Sequence, residues 1–173
     1  MSNDATRTES TVEVDGRASG LEVALWTRRP VCGPRATVID RLSRLRSTGV
    51  LADFTVTTWP EEIVVGGRNR QSELLETIET FERWAEDHQL SLRPPFETRT
   101  ASLLVGGSET VLTTPMLLAA AYEDGDIVGI YPCTDGSRTW TIPDLLDVLE
   151  APGDGAEPLA RAAALPPTES GTN

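Results

Sequence analysis

The sequence predicts an α+β protein, with a mixed or antiparallel sheet and helices packed on one face of it. Three observations predict this. Two segments of helical apolar periodicity each follow a short alternating segment, which gives the order β-α-β-α up to about Gln89. Beyond Pro94-Pro95 the helical period gives way to short apolar runs separated by Asp124-Gly125 and Asp135-Gly136, the signature of a strand meander. A short capped helix then closes the pattern.

Leu21 to Trp26 alternates toward a strand, and Arg28, Arg29 and Pro30 mark the loop after it. Pro34 suits the first turn of a helix, where its missing N–H is one of the orphan donors anyway. Val38, Ile39, Leu42 and Leu45 form that helix's apolar stripe, and Gly49 ends it. Phe54 and Val56 alternate with polar neighbours as a second strand, Trp59-Pro60 breaks the run, and Glu62 to Val65 is a short extended piece. The strongest helical pattern runs from Asn69 to Gln89, with Leu74, Ile78, Phe81, Ala85 and His88 on one face and Glu76, Glu79 and Arg83 on the other.

The meander comprises Phe96 to Val105, Val111 to Tyr122, Ile127 to Tyr131 and Arg138 to Thr141. Pro115 inside the second run marks an edge, a bulge or the true start of a strand, because proline cannot donate to a ladder. Thr141 with Asp144 three residues on is a capping box for a helix over 142–150. Residues 1–19 mix small and charged types, and 151–173 is rich in Pro, Gly, Ala and acids. Both ends are expected to be disordered around a single domain at 20–150.

Acidic residues outnumber basic ones 27 to 15, for a net charge of -12, and every basic residue is arginine. Such a surface repels itself in dilute buffer. A Debye length of about 3 Å at 1 M salt removes most of that repulsion. A salt-in organism, most simply a haloarchaeon, fits this halophilic pattern; GC-rich codon use equally accounts for the missing lysine. No apolar run is long enough to span a membrane and the N-terminus carries no signal-peptide pattern, so a cytoplasmic protein without membrane association is expected. Cys32 and Cys133 match no metal or redox spacing and read as two small buried thiols, with a disulfide as the disfavoured alternative.

The groups that catalysis needs are scarce. His88 is the single histidine, and its place on the apolar stripe near a helix C-terminus suits a packed imidazole. Zinc would need two cysteines, this histidine and a carboxylate from separate segments. No hydrolase, metalloprotease, P-loop or dinucleotide fingerprint occurs, so no catalytic residue, metal or cofactor is expected and the chain reads as a non-enzyme. Gly66 to Arg70, glycines and two arginines before a helix, suits a small anion but equally a simple turn. Glu123, Asp124 and Asp126 lack calcium-ligand spacing and read as a solvated hairpin tip.

Local charge is more informative. Arg28, Arg29, Arg35, Arg41, Arg44 and Arg46 face a single acid, Asp40, across a stretch that is basic inside an acidic chain. On a helical projection Thr37, Asp40, Arg41 and Arg44 lie opposite Val38 and Leu42, with Arg35 and Arg46 flanking the stripe. Arg35, Arg41, Arg44 and Arg46 are therefore the candidate nucleic-acid contacts, since guanidinium binds phosphate and reads guanine bidentately. The competing reading is that they neutralise the protein's own carboxylates.

Residues 41–59, RLSRLRSTGVLADFTVTTW, resemble the helix-turn-strand passage that ends many winged-helix DNA-binding domains. Together with FERWAEDHQLSLRPPFE (81–97) and AAYEDGDIVGIYPCTDGSRTWTIPDLLDVLE (120–150), this segment is similar to a family of small acidic haloarchaeal proteins labelled helix-turn-helix (HTH) domain proteins. The resemblance covers most of 20–150 and implies a DNA-binding or transcription-associated regulatory role. A protein–protein interaction module without DNA contact is the alternative, and the sequence fixes neither a target sequence nor an oligomeric state.

Overall fold

The computed structural model describes residues 20–66, 71–93 and 95–151. The two tails expected to be disordered lie outside the described residues, apart from Ala151 at the head of the second. Nine strands and three helices are present among them, in the order β1 (Leu21–Thr27), α1 (Pro34–Ser47), β2 (Asp53–Thr58), β3 (Glu62–Val65), α2 (Ser72–Asp87), β4 (Glu97–Ser102), β5 (Ser108–Thr113), β6 (Leu117–Glu123), β7 (Asp126–Tyr131), β8 (Cys133–Thr134), β9 (Thr139–Trp140) and α3 (Ile142–Glu150). The α+β class expected from the sequence is the one the chain adopts.

The strands divide among three sheets. A four-stranded mixed sheet has the order β2-β1-β6-β7, an antiparallel sheet the order β3-β5-β4, and β8 pairs with β9. β1 and β2 are parallel, from Glu22 opposite Asp53 to Thr27 opposite Thr58, so α1 is the crossover between them. β6 comes back antiparallel along β1, and its neighbour β7 returns through the two-residue turn Asp124-Gly125. Both turn residues have positive φ (51° and 87°), the geometry that Asp-Gly supplies most cheaply. Pro115 marks the gap between β5 and β6, where the chain leaves one sheet and enters another.

One apolar cluster joins these layers. β1 contributes Leu21, Val23 and Leu25, α1 contributes Val38, Leu42 and Leu45, α2 contributes Ile78, Phe81 and Ala85, and α3 contributes Leu145, Leu146 and Leu149. An aromatic chain ties the two larger sheets together. Trp26 stacks on Trp59 at 5.4 Å and meets Phe81 edge-on at 6.5 Å, while Trp59 meets Phe96 at 5.7 Å. The Trp59 indole donates to the Pro115 carbonyl at 3.0 Å, which satisfies a buried donor and fixes the crossover between sheets.

Helix ends follow the local chemistry. Thr141 Oγ1 accepts from the Asp144 amide and the Asp144 carboxylate accepts from the Thr141 amide, the expected capping box. α2 stops at Asp87, so His88 leaves the buried stripe on which the period had put it. Exposed at the C-cap, it stacks on Trp84 at 4.3 Å with Nδ1 2.7 Å from the Trp84 carbonyl oxygen. Cys133 is buried and Cys32 is exposed, and neither forms a disulfide. The expectation of two buried thiols fails at Cys32 because it lies in the loop before α1, outside any apolar period.

Candidate nucleic-acid interface

α1 is built to hold arginines at its C-terminal end. Its first turn carries no acid and its last turn carries Arg44 and Arg46, where cations suit the partial negative charge of the terminal carbonyls. Val38, Leu42 and Leu45 bury the opposite stripe, so the backbone of the helix is fixed by the core.

The four candidate arginines nevertheless differ in what they touch. Arg35 turns back along the chain and donates from Nη1 to the Arg28 carbonyl at 2.9 Å. Arg41 lies across α3: its Nε and Nη2 fork onto the Glu150 carboxylate at 2.8 and 2.7 Å, and Nη2 also donates to Asp147 Oδ1 at 2.6 Å. Its side chain is 21% exposed. The Glu150 hydrogen bonds, then those of Asp147, push the Arg41 pKa further up, and the same guanidinium holds the Glu150 carboxyl below its usual range. Arg46 pairs with Asp53 at 3.3 Å, half-exposed on both sides, and lies 5.3 Å over the Phe54 ring. Arg44 is exposed and forms no hydrogen bond or ion pair among the described residues, although its charge also lowers the Glu150 pKa.

The structure thus brings Arg41, Arg44 and Arg46 to one end of α1 but assigns them different work. Arg41, which the projection had put on the outer face, serves as the tie between α1 and α3. Arg44 and Arg46 remain at the surface with Thr37 and Asp40, which are also exposed. Arg28 is half-buried away from this group: it pairs with the exposed Glu61 at 3.3 Å and donates to the Thr114 carbonyl. The anion-site candidate Gly66 to Arg70 falls outside the described residues except for Gly66, whose φ of 92° makes it a turn.

Sequence reasoning missed one surface feature. The β4–β5 hairpin carries Leu103, Leu104 and Val105 at its tip, with Leu104 107% and Val105 95% exposed. The signal was available in LLVGG, an apolar run ending in two glycines, but it reads as strand rather than as an apolar loop. Asp124 lies in the β6–β7 turn with Glu123 and Asp126 paired at the strand ends beside it, and no group of three or more potential metal ligands converges among the described residues.

No two helices are consecutive among the described residues, since α1 lies between β1 and β2 and α2 between β3 and β4. α1 is therefore a crossover helix rather than the second member of a tight helix pair. No helix is long and apolar enough to cross a membrane among the described residues. A family profile described as a helix-turn-helix domain matches residues 15–154. No curated protein and no solved structure matches the chain.

Proposed function

The chain belongs to the helix-turn-helix domain family, and on that premise we propose that it is a DNA-associated, transcription-linked regulator meeting phosphate with the outer end of α1. The observation that carries this beyond family membership is the state of Arg44. It stands exposed on a helix anchored by the core, with no internal hydrogen bond or ion pair among the described residues. Arg46, one turn-edge away, is engaged only in an exposed pair of the kind worth about 0–1 kcal/mol, which a phosphate can displace. Arg35 and Arg41 act as supports, tying the first turn of the helix to the loop before it and its middle to α3.

The proposed setting is a high-salt cytoplasm, supported by the ratio of 27 acids to 15 arginines and the lack of lysine. There the bulk charge of -12 is screened within a few ångströms and ceases to oppose DNA at short range. The same screening weakens phosphate contacts, so modest affinity is expected. Titration of the labelled protein with duplex DNA in molar KCl, followed by backbone NMR, tests the reading. Amide shifts concentrated between Asp40 and Thr48 are expected.

A second reading, a protein–protein interaction module, is favoured by the apolar hairpin tip at Leu104 and Val105. Absence of any DNA-dependent shift on α1 in the same titration would leave this reading as the better one.

A further inference from the structure

The two larger sheets have four outer strands, and three are blunted. At β7 the Trp84 indole donates to the Ile127 carbonyl at 2.9 Å. At β3 the Val64 amide is taken by the Gln71 side chain at 3.3 Å. β4 carries Glu97 and Arg99, the latter paired with Glu62, and its Thr98 hydroxyl accepts from Arg93 at 3.3 Å. Charged side chains and covering groups of this kind are what keep an edge from pairing with another chain.

β2 carries such devices only at its first two residues, where Asp53 pairs with Arg46 and Arg46 lies over the Phe54 ring. The remainder, Thr55-Val56-Thr57-Thr58, is uncharged and β-branched, and Val56 is 39% exposed. The Trp59 amide donates to the Thr27 carbonyl at 3.0 Å, so by alternation the amides of Thr55 and Thr57 face β1 while those of Phe54, Val56 and Thr58 face outward. The Phe54 amide accordingly bonds the Asp53 carboxylate at 2.9 Å rather than β1. No hydrogen bond occupies the outward groups of Val56 and Thr58 among the described residues.

We propose that the occupant of this edge is a second copy of the chain, joined β2 to β2 in antiparallel register about a two-fold axis at Val56. Self-pairing of this kind is isologous, with Val56 opposite Val56 and Phe54 opposite Thr58, so one strand satisfies both partners. Charge selects this location in a chain of net charge -12, because a copy must dock where acid does not meet acid. β2 presents one acid, Asp53, already paired with Arg46. The two Asp53 residues would lie about 20 Å apart along the paired strands, beyond the Debye length of molar salt. Since α1 packs against β2, a two-fold axis normal to the sheet brings both α1 helices onto one face of a sheet continuous through both copies. The inference does not depend on DNA binding.

Sedimentation equilibrium of the full chain in molar KCl tests it. Wild type is expected to reach twice the 18.7 kDa chain mass with rising concentration. V56P deletes an outward amide without touching the β1 ladder, and V56K sets two like charges opposite each other at the axis. Both are expected to remain monomeric with wild-type circular dichroism, whereas L104D at the apolar hairpin tip is expected to dimerise normally. Hydrogen exchange on wild type covers the case in which V56P misfolds: the Val56 and Thr58 amides should gain protection as concentration rises. A wild type that stays monomeric at several hundred micromolar, or a dimer that survives V56K but is lost in L104D, overturns the proposal.

Discussion

Replacing Arg41 by alanine separates a structural arginine from a DNA-contacting one. Arg41 makes three charge-assisted hydrogen bonds to two carboxylates of α3, two of them a fork onto Glu150. Asp147 and Glu150 are 71% and 39% exposed, so water and salt screen the pairs. Exposed ion pairs are worth about 0.2–1 kcal/mol, and a bidentate geometry with a mostly covered arginine belongs at the top of that range. Loss of the stem's packing adds a few tenths. Arg41→Ala should therefore cost about 1 kcal/mol, a fall in melting temperature of roughly 3–5 °C for a domain of this size. A double-mutant cycle with Glu150→Gln, run by chemical denaturation at fixed KCl, should return a coupling of several tenths of a kcal/mol.

The pH dependence has a definite sign. The folded state holds the Glu150 carboxyl below its usual range through the Arg41 hydrogen bond. The contribution is thus fully present above the unfolded glutamate pKa of about 4.3 and is lost as pH falls through the lower folded value. The difference between wild type and Arg41→Ala should shrink in acid. A variant as stable as wild type at pH 7, or a coupling of zero, would show that the α1–α3 tie contributes nothing.

Three further outcomes are expected. A thiol reagent at pH 8 should label one cysteine in the native protein and two after unfolding, because Cys32 is exposed while burial pushes the Cys133 thiol up to about 12. Thr141→Ala should cost about 1 kcal/mol by removing the α3 cap, read in the same denaturation assay, and Thr141→Ser should recover most of it. Melting temperature should rise from dilute buffer to molar KCl, since 27 acids against 15 arginines repel one another when unscreened. Thermal scans across KCl concentration check this, and a flat response would remove the halophilic argument.

The sequence reveals the local elements of this fold more readily than their assembly. Alternation marks β1 and β2, the i, i+4 stripe marks α1 and α2, and the Thr141–Asp144 spacing marks α3, because each depends on neighbours within a turn or two. Assembly into three sheets depends on contacts that sequence spacing does not encode. β6 inserts between β1 and β7, and β5 pairs back to β3 across the whole of α2. The candidate interface shows the same division. A helical projection puts Arg41 beside Arg44 on the outer face, yet only the arrival of α3 determines that one meets Glu150 and the other meets solvent. Glu79 and Arg83 illustrate the reverse, since their helical spacing permits a pair but they form no ion pair among the described residues, while Arg93, from beyond the helix, takes Glu82 at 3.2 Å.

The salt dependence of DNA affinity in the Arg44→Ala/Arg46→Ala double variant tests the central claim most directly. Fluorescence anisotropy with a labelled duplex, over a range of KCl that keeps the domain folded, gives the slope of log affinity against log salt for each protein. If the end of α1 meets phosphate, the double variant should bind more weakly on every duplex, with the slope reduced by about 1.8, or 0.9 for each lost contact. Arg41→Ala should leave that slope unchanged once its stability loss is accounted for. A double variant that binds with wild-type affinity and slope, or a wild type with no measurable affinity for any duplex, would contradict the account.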